Sequence, residues 1–192
     1  MKRIGKVCFV LGCVMILFSL ALLGYSQFHA RMAGRKAAAI SETIQDILTV
    51  RTTGIMDSYS CMEMPVLQIE DQDFCGLLEI PGYGITLPIY DTWDAAKTNC
   101  YPCRFWGSTY DGSLIVGGSD QTGQFDMLDQ IQNGCVVSVL DMTGAEFDYT
   151  VSWVQRSKEA SAQALLEEGW DLTLFARDST SMDYIIVRCT VS

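Results

Sequence analysis

The stretch that decides the fold is Gly169-Trp170-Asp171-Leu172-Thr173-Leu174-Phe175-Ala176-Arg177. The apolar and β-branched residues from Leu172 to Phe175 are typical of a strand. The segment from Ser161 to Trp170 just before them predicts a short helix. The stretch ends in Arg177, whose guanidinium presents five donors and can hold a carboxylate through two hydrogen bonds. It therefore predicts a helix followed by a strand with a cation at its end.

Strand patterns continue on the N-terminal and C-terminal sides of this stretch. Six further short segments are rich in apolar and β-branched residues and are separated by turn residues. They are Leu77–Ile80, Ile85–Ile89, Ser113–Gly117, Val136–Leu140, Phe147–Val154 and Tyr184–Val191. Asp141 to Gly144 predicts a hairpin turn, with the glycine supplying a positive φ angle. Many short strands with turns between them predict a mainly β fold with short helices, built as a small closed barrel.

Several segments also match, in order, the motifs of a known family. The strand Leu172–Arg177 is similar to T-L-x-T-C, and Phe125–Gly134 is similar to F-x-x-L-x-x-L-x-x-G-D. The other matching segments are Gly76–Pro81 with Ile85–Tyr90, Pro102–Ser108, Ser113–Gly118 and Asp183–Cys189. Together, over about residues 75–191, they resemble the sortases, a family of cysteine transpeptidases. The resemblance implies a sortase-like closed β-barrel.

The same resemblance implies that the catalytic residues of a sortase are replaced in this chain. A sortase uses a histidine, a cysteine and an arginine. The motifs place Gly118 at the position of the histidine, Arg177 at that of the cysteine and Tyr184 at that of the arginine. We therefore expect a pseudoenzyme with no catalytic residues and no cofactor.

The histidine count supports this expectation without any comparison. The sequence has one histidine, His29, far from every barrel motif. Cysteine–histidine and serine–histidine catalysis both need an imidazole within hydrogen-bond reach of the nucleophile. A cysteine without a base or a nearby cation stays mostly a thiol, whereas the thiolate is the nucleophile.

Arg177 and Tyr184 are the candidate ligand-binding residues. In the family's fold they should lie on neighbouring strands, in the groove where a sorting-motif peptide would dock. The arginine could then hold a carboxylate of a ligand. The alternative is that Arg177 pairs with Asp178, Asp183 or another of the chain's many acidic residues.

The N-terminal part of the chain predicts a membrane anchor. Residues 7–25 form an apolar run of 19 residues, long enough to span a hydrocarbon core. No convincing cleavage site of a signal peptide follows the run. Lys2, Arg3 and Lys6 precede it, which favours a cytoplasmic segment 1–6. We therefore expect a single-pass plasma-membrane protein of a Gram-positive-type cell, with its C-terminal domain outside.

Residues 26–74 are predicted to connect the anchor to the barrel. Apolar residues with helical spacing, among them Ile40, Ile44, Ile47 and Leu48, predict a helix over about residues 37–50. This helix is either a juxtamembrane stalk or a helix packed on the barrel. Residues 55–74 resemble a linker, so the barrel domain is expected over residues 75–192.

Charge is distributed unevenly along the chain. All 23 acidic residues lie at or after Glu42, against seven lysines and arginines there, which gives this part a net charge of −16. Such a surface opposes nucleic-acid binding, which needs basic groups against phosphate. It is consistent with a soluble domain at a cell surface.

Cysteines and acidic residues are the other candidates for chemical sites in the sequence. An even number of cysteines in an exported domain permits disulfides, and the pairing of Cys61, Cys75, Cys100, Cys103, Cys135 and Cys189 stays open. The pair Cys100 and Cys103 lacks the second pair that a zinc site needs. The acidic residues Asp111, Asp120, Asp126 and Asp129 lack the pattern of an EF-hand loop. We therefore predict no metal site.

The expected function is that of a binding or scaffolding module in surface-protein or pilus anchoring. Its partners would be a sorting-motif peptide, a pilin or an active sortase, besides the membrane. One alternative is a cysteine transpeptidase that uses unrecognised residues. Another is a purely structural surface domain. All three rest on a likeness of fold, which by itself does not fix function.

Overall fold

The computed structural model describes residues 14–16, 18–19, 35–48, 63–159, 161–166 and 169–192. Within these residues the chain forms nine strands, with bounds as follows. They are β1 Leu67–Ile69, β2 Gln72–Ile80, β3 Ile85–Tyr90, β4 Cys103–Trp106, β5 Leu114–Ser119, β6 Val136–Asp141, β7 Glu146–Ser157, β8 Leu172–Arg177 and β9 Tyr184–Val191. Residues 35–48 are helical (α1), and a short helix (α2) spans Ala162–Leu165. Three 3-10 turns lie at Pro81–Tyr83, Lys97–Asn99 and Leu128–Gln130.

Eight of these strands close into a barrel. The strand order is β1-β2-β3-β4-β5-β8-β9-β7-β6, and the additional pairing of β2 with β6 completes the ring. β1 stays outside the ring because it pairs with β2 alone. β5 and β8 run parallel, whereas β8 and β9 are antiparallel. The predicted mainly β, closed barrel with few short helices is therefore confirmed.

All seven predicted strands are present, but two more strands were not predicted. β1 has three residues, and the turn after it places Glu70 and Asp71 at positive φ without a glycine. β4 lies in the motif segment Pro102–Ser108, where no strand was predicted, and a single residue pair, Tyr90 with Cys103, joins it to β3. The sheet thus begins at Leu67, inside the segment predicted as a linker.

Helix α1 packs on the barrel. Ala37, Ile40, Ile44 and Leu48 are buried in the same core as the strands. The Ser41 hydroxyl also donates to a carbonyl of β3, that of Thr86, at 3.2 Å. Of the two predicted arrangements for this helix, the one packed on the barrel is observed.

The predicted anchor over residues 7–25 lies mostly outside the described residues, since only 14–16 and 18–19 are described there. Among the described residues, no helix is both long and apolar enough to span a bilayer.

Helix α2 is shorter than the segment Ser161 to Trp170 that was predicted as helical. Ser161 caps it, because its hydroxyl oxygen accepts a hydrogen bond from the amide of Ala164 at 3.1 Å. The side chain of Leu165 is buried against the outer face of the sheet. α2 therefore covers part of that face, where β5, β8 and β9 lie side by side.

Candidate functional site

Strand β8 has two faces with different environments. Leu174 and Ala176 point into the barrel core. Phe175 packs in a second, smaller cluster on the outer face, and Arg177 ends the strand exposed to solvent. Since side chains alternate along a strand, Phe175 and Arg177 share one face. The candidate site lies on this outer face.

A cavity of about 440 Å³ lies on the outer face of the sheet. It covers the C-terminal ends of β5 and β8 and the N-terminal end of β9. This volume is within the range of small-ligand sites. Its lining residues are Trp93, Ala95, Thr98, Asn99, Phe105, Gly118, Ser119, Leu165, Phe175, Arg177 and Tyr184. The structure thus brings the three predicted site positions, Gly118, Arg177 and Tyr184, to one cavity.

The strand register shows which residues face each other across this cavity. Arg177 pairs with Tyr184 on β9 and with Ser119 on β5, whereas Gly118 pairs with Ala176. A Cβ atom on Gly118 would lie 2.6 Å from the ring of Phe125, which is buried in the core. Gly118 therefore contributes backbone to the cavity wall, and the β5 side chain on the face of Arg177 is that of Ser119.

Arg177 is exposed and stacked rather than ion-paired. Its guanidinium carbon lies 5.9 Å from the centre of the Tyr184 ring, within the range of a cation–π contact. The described residues place no carboxylate within 4.0 Å of it. Its donors are therefore available on the cavity side.

Two acidic residues near Arg177, Asp178 and Asp120, accept hydrogen bonds from other groups. Asp178 accepts a hydrogen bond from Arg156 at 2.8 Å and two more from the amides of Thr180 and Ser181. The bond from Arg156, followed by those from the amides, lowers the pKa of the Asp178 carboxyl. Asp120 accepts a hydrogen bond from the Ser179 amide at 2.6 Å. The alternative was that Arg177 pairs with Asp178, Asp183 or another acidic residue. Among the described residues, Arg177 forms no ion pair with any of them.

Three aromatic rings form the apolar part of the cavity. Trp93 lies 5.2 Å from Phe105 and 5.5 Å from Phe175, and Phe105 lies 5.6 Å from Phe175, between ring centres. Gly117 allows this packing, because a Cβ there would lie 2.4 Å from Phe175 and 2.5 Å from Trp93. The side chain of Trp93 stays 37% exposed and can contact a ligand.

A second arginine, Arg188, lies on the same sheet face under α2. It is 1% exposed and donates to the carbonyl of Leu165 at 2.9 Å and to the hydroxyl of Thr173 at 2.8 Å. It also donates to the carbonyl of Ala164. These bonds satisfy carbonyls at the end of α2, and Leu165 in turn lines the cavity. Arg188 therefore holds one wall of the site in place.

None of the described cysteines is among the residues that line this cavity. Cys75, Cys100, Cys103, Cys135 and Cys189 are all free thiols, and Cys61 lies outside the described residues. Burial raises the pKa of Cys75 and of Cys189 to about 12, and that of Cys103 to about 11. Desolvation thus disfavours the reactive thiolate at these three positions.

Within the described residues, no group of three or more histidine, cysteine, aspartate or glutamate side chains is placed to hold a metal ion.

Sequence reasoning missed several residues of the site. Trp93 and Asn99 lie between β3 and β4, outside the motifs, and nothing local marks them as part of a cavity. Phe105 lies on the unpredicted strand β4. Ser119 could have been found, since it directly follows Gly118 and the alternation of strand β5 would place it on the opposite face.

Comparison with known proteins supports the fold at low sequence identity. No protein-family model and no curated protein matches the chain. Sortase A from Corynebacterium diphtheriae is 13% identical, with a TM-score of 0.56 over 85% of this chain and 90% of that one. A Clostridium perfringens sortase D5 transpeptidase is 14% identical, with a TM-score of 0.56 over 84% and 99%. Sortase C-1 from Actinomyces oris is 20% identical, with a TM-score of 0.54 over 61% and 73%. The chain therefore has a sortase-like fold.

Proposed function

We propose that this protein is a membrane-anchored, extracytoplasmic module that binds a peptide in a sortase-like groove without transpeptidase chemistry. One observation carries the proposal: the cavity over β5, β8 and β9 is open and combines aromatic rings with a cation, whereas the described residues that line it include neither a cysteine nor a histidine. A shaped groove without a nucleophile or base is suited to holding a peptide.

The chemistry of the chain supports the absence of turnover. A peptide transfer through a thioester needs a thiolate and a group that moves protons. At the end of β8, where the family's motif has its cysteine, this chain has Arg177. The buried thiols of Cys75 and Cys189 belong to the barrel core instead, where burial keeps them protonated.

The biological setting follows from the sequence and is part of the same proposal. The apolar run over residues 7–25 would anchor the chain in the plasma membrane, with the barrel outside. The bound peptide would be the sorting motif of a surface protein or part of a pilin. The third partner that the proposal allows is an active sortase. The module would then act as a scaffold in surface-protein or pilus anchoring.

A transfer assay and a binding assay together test the proposal. The full chain, purified in detergent, is incubated with a sorting-motif peptide and an amine acceptor, and products are followed by mass spectrometry. We expect no cleavage and no transfer above a blank without protein, while an active sortase run in parallel turns the peptide over. Turnover that is lost on alkylation of cysteines would instead support the transpeptidase alternative.

Calorimetry then separates a binding module from a purely structural domain. The same peptide should bind the wild type and bind Trp93→Ala more weakly, because Trp93 lines the cavity. The matched control is Trp153→Ala, since Trp153 is 55% exposed on β7, outside the cavity lining. Lack of binding to the wild type, or equal weakening by both substitutions, would favour the structural alternative.

A further inference from the structure

The cavity has a polar end whose charge is not neutralised by the described residues around it. Arg177 lies there with its guanidinium over Tyr184, and no described carboxylate is within 4.0 Å. The aromatic ring restricts where the guanidinium can lie, which reduces the entropy lost when it binds a ligand. A planar guanidinium with free donors matches the two oxygens of a carboxylate.

Two acidic residues near Arg177 accept hydrogen bonds from other groups and do not line the cavity. Asp178 is bound by Arg156 and by two amides of its own turn, and Asp120 is bound by the amide of Ser179. Among the described residues that line the cavity, Arg177 is also the one that is charged. The charge at this end therefore favours an anionic group of a ligand.

An apolar surface begins immediately beside this cation. Phe175 lies two residues earlier on the same face of β8, at a spacing of about 7 Å along the strand. Its ring packs with those of Trp93 and Phe105. A ligand that satisfies both features must carry a carboxylate and an apolar group only a few bonds apart.

The C-terminal residue of a peptide has this arrangement, because its carboxylate and its side chain are attached to the same Cα. We propose that the cavity binds the free C-terminal carboxylate of a peptide whose last side chain is apolar, with Arg177 on the carboxylate and the rings of Trp93, Phe105 and Phe175 on the side chain. This inference rests on the proposed function and names the peptide end that the groove selects.

The test changes the ligand first, so that it does not depend on the folding of any variant. Calorimetry on the full chain in detergent compares four tetrapeptides with acetylated N-termini. They are Gly-Gly-Gly-Phe as the free acid, the same peptide as the amide, Gly-Gly-Asp-Phe as the amide, and Gly-Gly-Gly-Gly as the free acid. The phenylalanine acid should bind about ten- to hundredfold more tightly than its amide. It should also bind more tightly than the other two peptides.

Variants then assign the preference to residues. Arg177→Gln should bring the phenylalanine acid down to the affinity of its amide, and Arg177→Lys should keep part of the preference. Trp93→Ala should weaken both forms equally. Arg35→Gln, which removes an exposed arginine of α1, is the matched control and should change nothing.

The possible failures are distinguishable from one another. Equal affinity of acid and amide for the wild type would overturn the carboxylate assignment while leaving peptide binding intact. If the aspartate-containing amide binds as tightly as the phenylalanine acid, a side-chain carboxylate is enough for binding. That result would overturn this proposal. Tight binding of the tetraglycine acid would overturn the apolar part. If an internal sorting-motif peptide binds and the phenylalanine acid does not, the proposed function stands and this inference falls. If neither binds, both fall.

Discussion

Arg177 and Arg188 lie towards opposite ends of one sheet face and have opposite environments. In the register of β8 with β9, Arg177 pairs with Tyr184, and Arg188 pairs with Thr173. Arg188 is buried and donates from its two terminal nitrogens to carbonyls of α2 and to Thr173. Arg177 is exposed, with its guanidinium over the Tyr184 ring. α2 covers one end of the face and leaves the other open. The same residue type thus stabilises the fold at one end and is available to a ligand at the other.

The largest expected effect on stability comes from replacing each of the two arginines, one at a time, with leucine. Arg188→Leu should lower the free energy of unfolding by about 2–4 kcal/mol, because two carbonyls and a hydroxyl under α2 lose their donor. Arg177→Leu should change it by no more than about 0.5 kcal/mol, because its side chain is exposed. Urea unfolding followed by circular dichroism measures both values. Similar losses in the two variants would contradict the contrast between the two ends.

Adjacent glycines on β5 extend the comparison to the two faces of the sheet. A Cβ on Gly118 would meet Phe125 in the core, and one on Gly117 would meet Phe175 and Trp93 at the cavity. Each Gly→Ala substitution should cost about 1–3 kcal/mol, since the rings must move. Only Gly117→Ala should also weaken peptide binding. Denaturant titrations and calorimetry on both variants check this, and equal loss of binding would show that the two faces are not independent.

The fold was largely predictable because its signals are local. Alternating apolar residues and turn glycines marked seven strands, and the hairpin turn at Asp141–Gly144 is present with Gly144 at a φ of 92°. β1 escaped prediction because it is short and its turn uses Glu70 and Asp71 at positive φ rather than glycine. The helix before β8 was predicted too long: α2 ends at Leu165, and the next apolar residue, Leu166, is 42% exposed.

The cavity was less predictable than the fold. The motifs pointed to Gly118, Arg177 and Tyr184, and these residues do line it. Its aromatic wall comes from Trp93 and Phe105, which tertiary packing alone brings next to Phe175. The partner of Asp178 was equally hidden, because Arg156 lies 22 residues away in the chain. Contacts of this kind carry no local sequence signal.

A smaller effect on stability is expected from the turn in which Asp178 binds Arg156 and not Arg177. The hydrogen bond from Arg156 and the two turn amides hold the pKa of the Asp178 carboxyl below its ordinary value of 3.8. A carboxyl with a lowered pKa stabilises the fold above that value, and the stabilisation is lost as the pH falls through the folded-state pKa. The effect should be modest, since Arg156 is 46% exposed and water screens the pair.

Melting temperatures across pH test this contribution. The wild type should melt above Asp178→Asn at pH 7, and the difference should narrow as the pH falls below 3.8. Asp126→Asn, at an exposed loop position, is the matched control. A difference that stays constant with pH would mean that the Asp178 charge is not the cause.

Binding without chemistry in the cavity beside Arg177 is tested most directly by amide chemical shifts. The protein is labelled with ¹⁵N and titrated with an unlabelled sorting-motif peptide, whose own mass is followed in the same samples. The largest shifts are expected at Gly117 to Ser119, at Arg177 and Tyr184, and at the indole of Trp93, with the peptide remaining intact throughout. Shifts centred elsewhere, no shifts at all, or conversion of the peptide would contradict this expectation.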